Sequence, residues 1–334
     1  MIMKILKRTV QFLLVICCLA ALWVLTRDDM SEVGIPYAEP AAPDAPLTVT
    51  WLGIATLIVD DGQTQIMTDG FVSRPSLLDL LLRRPIATDS DTLEQVIDTY
   101  KINRLAAIMP VHSHYDHAMD SADFARLTGA DVLGSVSTAN VARSSALDES
   151  RIVAIEPGDT YSYGLFDITF YESRHAPLAS NSAIEGAVSA PFALPAPYTA
   201  YKEGGSYAIH INHPEGSILV VGSAGFVPGA LQGVEADVVF LGTGGFISLD
   251  SEYVSEYVDE TVVAVRPEEV VIIHHDDLLG EFGNVEQSRL IPSFDKTRAL
   301  ELQQFVLPAR LTQPSFGVPI AIGGTPPTAS SPAR

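Results

Sequence analysis

Leu105-Ala106-Ala107-Ile108-Met109-Pro110-Val111-His112-Ser113-His114-Tyr115-Asp116-His117 is the stretch whose reading decides the fold. Its first seven residues are apolar, with the length and composition of a buried strand. Its last six hold four potential metal ligands, three of them histidines, in a protein with only eight histidines. The pattern predicts a strand ending in a ligand-bearing loop, with a helix starting near Asp116 or His117. Alternate residues past a strand end can point the same way, so His112 and His114 can grip one ion while Asp116 and His117 turn towards a second. Imidazole nitrogen and carboxylate oxygen suit zinc and similar divalent ions. The competing reading is a polar loop whose histidines merely cap a helix. The strand before the motif and the helix after it argue against that.

Outward from this block, short apolar runs alternate with turn signals. Upstream, residues 47–51, 55–59 and 65–68 read as strands, with Asp60-Asp61-Gly62-Gln63 as a hairpin turn and a helix over residues 92–100. Downstream, strands are predicted near residues 130–133, 152–155, 166–171, 207–211, 217–221, 236–241 and 270–273, and His213-Pro214-Glu215-Gly216 reads as another hairpin turn. This order describes an α/β protein with buried sheets and helices outside. Leu77-Leu78-Asp79-Leu80-Leu81-Leu82 is too short to cross a bilayer and reads as a packed helix or covering segment rather than a binding face for a lipid or amphiphile. Pro191-Phe192-Ala193-Leu194-Pro195 reads as an ordinary loop.

The chain has 334 residues and a hydrophobic fraction of 47%, ample for one large core. Its 20 Lys+Arg against 41 Asp+Glu give a net charge of −21, a surface that repels phosphate backbones and excludes nucleic acid as a partner.

Residues 1–29 are a different material. Lys4, Lys7 and Arg8 precede an uncharged run over residues 9–26, ended by Arg27, Asp28 and Asp29. That run makes about 27 Å of helix, barely enough to cross a bilayer core. It reads as a transmembrane signal anchor with Trp23 at its outer end, placing the rest of the chain in a bacterial periplasm as an inner-membrane protein. Cleavage of the segment, leaving a secreted periplasmic protein, is the alternative. Cys17 and Cys18, the only cysteines, lie inside this run, so any metal in the folded domain must use His, Asp or Glu. Residues 30–46, with Pro36, Pro40, Pro43 and Pro46, read as a linker, residues 47–322 as the domain, and residues 323–334 as a disordered tail.

The HxHxDH block is the signature of the metallo-β-lactamase-fold hydrolases, which the chain resembles from about Leu47 to about Asp277. With Trp51-Leu52-Gly53 and Asp69, it is similar to the branch containing ascorbate-lactone hydrolases and N-acyl-phosphatidylethanolamine phospholipases. The resemblance implies an αββα sandwich of two mixed sheets with outer helices. It implies that His175, past a strand, completes a first site with His112 and His114, and that His274 joins Asp116 and His117 in a second. His274 rather than His275 is chosen because it comes first off its strand. Asp69 is implied to hydrogen-bond a ligand histidine, and Ile54 stands where many relatives carry histidine. One element departs from the pattern: Ser223, in Val221-Gly222-Ser223, replaces the carboxylate that bridges the two metals in relatives, so one or two ions remain open. His210 and His213 match no ligand position and read as structural.

The function implied is a zinc-dependent hydrolase that directs a metal-bound hydroxide at an ester, lactone or phosphodiester bond of a small-molecule or lipid-like substrate, with Asp116 as the catalytic residue. The alternative is a metal-binding protein of the same fold with weak or no turnover, because Ser223 stands where the bridging carboxylate would. Flavodiiron-type chemistry ranks last, since that family has glutamate at the place of His114.

Overall fold

The computed structural model describes residues 2–177, 182–289 and 292–323, with part of the first helix's side chains outside that set. The N-terminal segment forms α1 (Ile2–Leu25) and a short turn of helix, α2 (Met30–Val33). Then come β1 (Thr48–Trp51), β2 (Leu57–Asp60) and β3 (Gln65–Thr68), followed by α3 (Leu77–Leu81), β4 (Pro85–Ile86) and α4 (Ser90–Thr99). The quoted stretch becomes β5 (Leu105–Met109) and α5 (Tyr115–Ala118); α6 (Ser121–Thr128), β6 (Asp131–Gly134), α7 (Val136–Ser144) and β7 (Ile152–Ala154) complete the first half. The second half holds β8 (Thr160–Tyr163), β9 (Phe166–Ser173), β10 (Ala196–Pro197), β11 (Ser206–His213), β12 (Gly216–Val221) and β13 (Val238–Gly242). It ends with α8 (Ser251–Val258), β14 (Glu269–Ile273), α9 (Lys296–Phe305), β15 (Arg310–Thr312) and β16 (Pro319–Ala321).

Two seven-stranded mixed sheets result, one ordered β16-β1-β2-β3-β5-β6-β7 and the other β15-β14-β13-β12-β11-β9-β8. Their facing surfaces bury one core, with Val49, Trp51, Val59 and Met109 from the first sheet against Phe170, Ile211, Val220 and Phe240 from the second. The outer face of the first sheet meets α4 and α6 through Met67, Ile108, Leu93, Val96 and Phe124. The outer face of the second meets α8 and α9 through Leu241, Ile272, Val254 and Leu302. Strands buried on both faces, such as β13, are apolar throughout rather than alternating, as a central strand between two covered faces must be. This is the αββα sandwich the sequence implied.

The β2–β3 turn forms where expected. Asp60 Oδ1 accepts from Gly62 N at 2.7 Å, and Asp61 Oδ1 accepts from Gln63 N at 2.7 Å and Thr64 N at 2.6 Å. Gly62 supplies the positive φ of 80° that the turn needs.

Three expectations change. Residues 30–46 are not a free linker. Met30, Val33 and Ile35 are buried in the core under α9, and Tyr37 and Pro40 bridge to Gln313 and Ile320. The proline-rich composition signalled extended chain correctly, but these few apolar side chains pin it to the domain. No helix among the described residues is long and apolar enough to cross a membrane. The span expected over residues 9–26 is therefore not found. Several side chains that carried its hydropathy, Trp23 among them, lie outside the described residues, as do residues 324–334 of the tail. Finally, α3 has no buried residue: Leu77, Leu78, Leu81 and Leu82 are 41–70% exposed.

Candidate metal centre

The ends of three strands, β5, β9 and β14, deliver the six ligands. Beyond β5, Ser113 faces away from its neighbours. Its N donates to Glu203 O at 2.9 Å and its Oγ to Lys202 O at 2.6 Å. That tether leaves His112 and His114 on the opposite side of the chain, turned towards each other. His112 Nε2 lies 3.0 Å from His114 Nδ1. His175, two residues past β9, joins them, its ring 5.1 Å from that of His112 and 4.9 Å from that of His114. The donor atoms of these three histidines all lie within 4.8 Å of one another, and so do those of Asp116, His117 and His274. Asp116 Oδ2 is 3.6 Å from His117 Nε2 and 3.7 Å from His274 Nε2. The two groups touch, with the His112 and His117 rings 4.0 Å apart. All six residues singled out in the sequence thus come together. His275 instead turns inward and stacks on Trp51 at 5.1 Å.

On three of the rings a bond on the far side decides which nitrogen is offered. His117 Nδ1 donates to Asp69 Oδ2 at 2.7 Å, leaving a buried Nε2 with no hydrogen-bond partner. His114 Nε2 donates to Ile184 O at 3.2 Å and His175 Nδ1 to Ala176 O at 3.0 Å, so the opposite nitrogens carry lone pairs. Asp69, at the end of β3, accepts from Val111 N at 3.0 Å through its other oxygen, tying β3 to the ligand loop.

Electrostatics agree. Burial, reinforced by neighbouring imidazoles, pushes His112 well below the usual histidine range. Burial lowers His114 and His274 to about 4. All three are neutral donors at pH 7. Burial alone would raise Asp116, but His117, His274 and His114 outweigh it and hold the carboxylate ionised. For His117, burial is outweighed by Asp69 and Asp116, which raise it. Imidazole nitrogens and an ionised carboxylate brought within 4.8 Å of one another are a donor set suited to a cation. The residues fit one ion among His112, His114 and His175 and another among Asp116, His117 and His274.

Backbone strain marks the second group. Ile54, Asp69 and His274 have φ of 49°, 57° and 58°. A left-handed β-branched residue is rare, and such conformations cost on the order of 1–3 kcal/mol each. Ile54 earns its place through its backbone: its O accepts from His274 N at 2.9 Å and Trp51 Nε1 at 3.0 Å, and its N donates to Asp276 Oδ1 at 2.8 Å. Asp276 is itself paired with Arg74 at 3.8 Å, both side chains almost fully buried. Arg74 and Asp276 escaped the sequence reading. Asp276 had a signal, its place two residues beyond His274; Arg74 had none. Gly244 also had none, yet a Cβ there would lie 2.9 Å from His274 Nδ1.

Ser223 lies in the cleft but serves the backbone: its Oγ accepts from Ala176 N at 3.1 Å, bracing the His175 loop. His210 and His213 are elsewhere. His210 bonds Glu235 O at 3.0 Å and His213 pairs with Asp61 at 3.4 Å. The donors open into a cleft of about 490 Å³ whose other walls are mostly apolar, with Leu77, Leu80, Leu81 and Leu279 among them.

No protein-family model matches the chain. It is similar to a protein of Pyrobaculum islandicum named as a metal-dependent hydrolase, 21% identical over 240 residues, covering 69% of this chain and 84% of that one. A protein of Roseiflexus castenholzii with the same description is 24% identical over 164 residues, 49% of this chain and 60% of its relative. Among solved structures, a metallo hydrolase of Ignicoccus hospitalis superposes with a TM-score of 0.53 at 15% identity, over 84% of this chain and 99% of the other.

Proposed function

We propose that this chain, a metallohydrolase of the metallo-β-lactamase superfamily, uses the two donor trios to hold zinc and cleaves an ester, lactone or phosphodiester bond. One observation carries the reading: side chains from separate strand ends meet with their donor atoms within 4.8 Å of one another, and the outer nitrogens of His114, His117 and His175 are tied off. A divalent ion bound there supplies a water whose pKa falls to about 7 and polarises the bond to be cleaved. His112, His114 and His175 hold the first ion, with a position open to substrate. His117 and His274 hold the second with Asp116.

Asp116 is the residue we assign to proton transfer. Its carboxylate stays ionised between His117 and His274, placed to accept a proton from the attacking water and pass it to the leaving group. Asp69 fixes His117 and, through Val111 N, the register of the ligand loop. Membrane anchorage and a periplasmic site for the domain are likewise proposals, supported by the uncharged run after Lys4, Lys7 and Arg8.

Metal analysis of the purified chain tests the centre. We expect at least one tightly held zinc-like ion per chain, lost in the H112A/H114A double variant. Metal content unchanged by that double substitution defeats the assignment. Asp116→Asn should keep the fold and lower hydrolysis about 10²–10⁴-fold. The second reading, metal binding without turnover, is favoured by the engagement of Ser223 with the backbone. Under it, a loaded chain is inert on ester, lactone and phosphodiester substrates, and Ser223→Asp raises metal content and creates activity.

A further inference from the structure

The least expected surface on the molecule is α3. It is capped by Ser76, whose Oγ accepts from Asp79 N at 3.2 Å, so the short helix is deliberately set. Yet only Leu80 packs against the core, half-buried beside the Ile54, Phe71 and Tyr115 cluster, while Leu77, Leu78 and Leu81 are 41%, 54% and 70% exposed. Exposed leucines scattered singly need no explanation, but these are contiguous and form the rim of a functional cleft. Leu77, Leu80 and Leu81 line the same cleft as His114, Asp116, His175 and His274, and Leu278 and Leu279 close its other side.

Charge narrows what could lie there. The two carboxylates of the cleft are engaged, Asp116 by His117 and His274 and Asp276 by Arg74. Among the described residues lining it, Arg83, the residue that follows the leucine run, carries no ion pair. A mouth with an apolar wall, a free cation at its edge and cation-binding donors at its floor suits a ligand apolar at one end and anionic at the other. The end of α1 reaches the same neighbourhood. Asp28 O accepts from Gln287 Nε2 at 2.7 Å and Met30 N donates to Glu286 at 2.9 Å, beside Ser288 in the cleft wall.

We infer that α3 is an acyl-chain subsite: the substrate is an amphiphile whose apolar chain lies over Leu77, Leu80 and Leu81 while its anionic, hydrolysable head reaches the donors. This rests on the hydrolase reading above and adds the substrate class to it. Straight-chain carboxylates from butanoate to decanoate, kept below their micelle concentrations, are the probe, titrated calorimetrically into the zinc-loaded chain. Affinity should rise roughly two- to fourfold per added methylene. The double variant Leu77→Ser, Leu81→Ser, at exposed positions that the core does not need, should keep wild-type metal content and flatten that dependence. Affinity indifferent to chain length, no carboxylate binding by the loaded protein, or a chain-length dependence untouched by the double substitution would each overturn the subsite. Metal content measured on the same samples separates the two claims. A loaded chain that ignores chain length sinks only the subsite, whereas a chain that takes up no ion sinks both.

Discussion

At the scale of single residues, the site separates histidines that must bind from one that must only pack. His275 follows His274 directly, yet it lies flat on Trp51, fully enclosed, and its Nδ1 has no hydrogen-bond partner. Burial, then the neighbouring His274, lowers it to about 3. An unfolded histidine protonates near 6.5, so between about pH 6.5 and pH 3 the unfolded chain takes up a proton that folded His275 declines. The unfolded state binds more protons across that window. This residue's share of the stability is therefore greatest above pH 6.5 and is withdrawn as the pH falls. Replacing it with phenylalanine keeps the stacking and removes the titration. The His275→Phe variant should gain on the wild type progressively as the metal-free proteins are acidified from pH 7 to pH 4.5. Denaturant unfolding at several pH values reads this directly. A stability difference that is flat with pH contradicts the account.

At the scale of elements, the ligand loops stand on turns that must themselves be held. Asp120, just before α6, is fully buried. Its Oδ2 accepts from Val72 N at 2.9 Å and Ser73 N at 2.7 Å, and its Oδ1 from Ser73 Oγ at 2.9 Å. It thereby clamps the turn after β3 against the helix that follows the ligand loop. Asp120→Ala would strand two buried backbone N–H groups at about 1–3 kcal/mol each. We expect a loss of roughly 2–6 kcal/mol in unfolding free energy, with metal binding weakened along with it; a variant as stable as the wild type would refute the clamp. Asp120 was not legible in the sequence, because an aspartate ahead of a helix looks like any cap. What was legible is what a local pattern can encode. The β5 run, the β2–β3 turn and the histidine spacing each specify their own geometry. Elements defined by their partners were missed: β15 and β16 are three residues each and exist because β14 and β1 present free edges to them. The exposure of α3 was hidden for a related reason. Five leucines in six residues carry the composition of a packed helix, and only the position of the cleft leaves them uncovered.

At the scale of the whole molecule, the segment before β1 changes what counts as the folded unit. Composition divided the chain at Leu47, whereas the packing divides it near Asp28. Met30, Val33 and Ile35 are 1%, 4% and 3% exposed in the core beneath α9. Ala38 N donates to Gln313 O at 2.8 Å, Gln313 N to Pro36 O at 2.8 Å, and Gln313 Nε2 to Ile35 O at 2.6 Å. This strap therefore links the start of the domain to its last strands, meeting Gln313 just past β15 and Ile320 on the side of β16 away from β1. A chain beginning at Arg27 keeps all of these contacts. One beginning at Leu47 loses Met30, Val33 and Ile35, each worth about 1.5–3 kcal/mol, together with buried Ala38, and uncovers part of the core. Against a typical domain stability of about 5–15 kcal/mol, the shorter chain should melt well below the longer one, while loss of α1 alone should leave the melting temperature unchanged. Calorimetry on the two truncations decides it. Equal melting temperatures would return residues 30–46 to the status of a tether, and the core under α9 would then have to be complete without them.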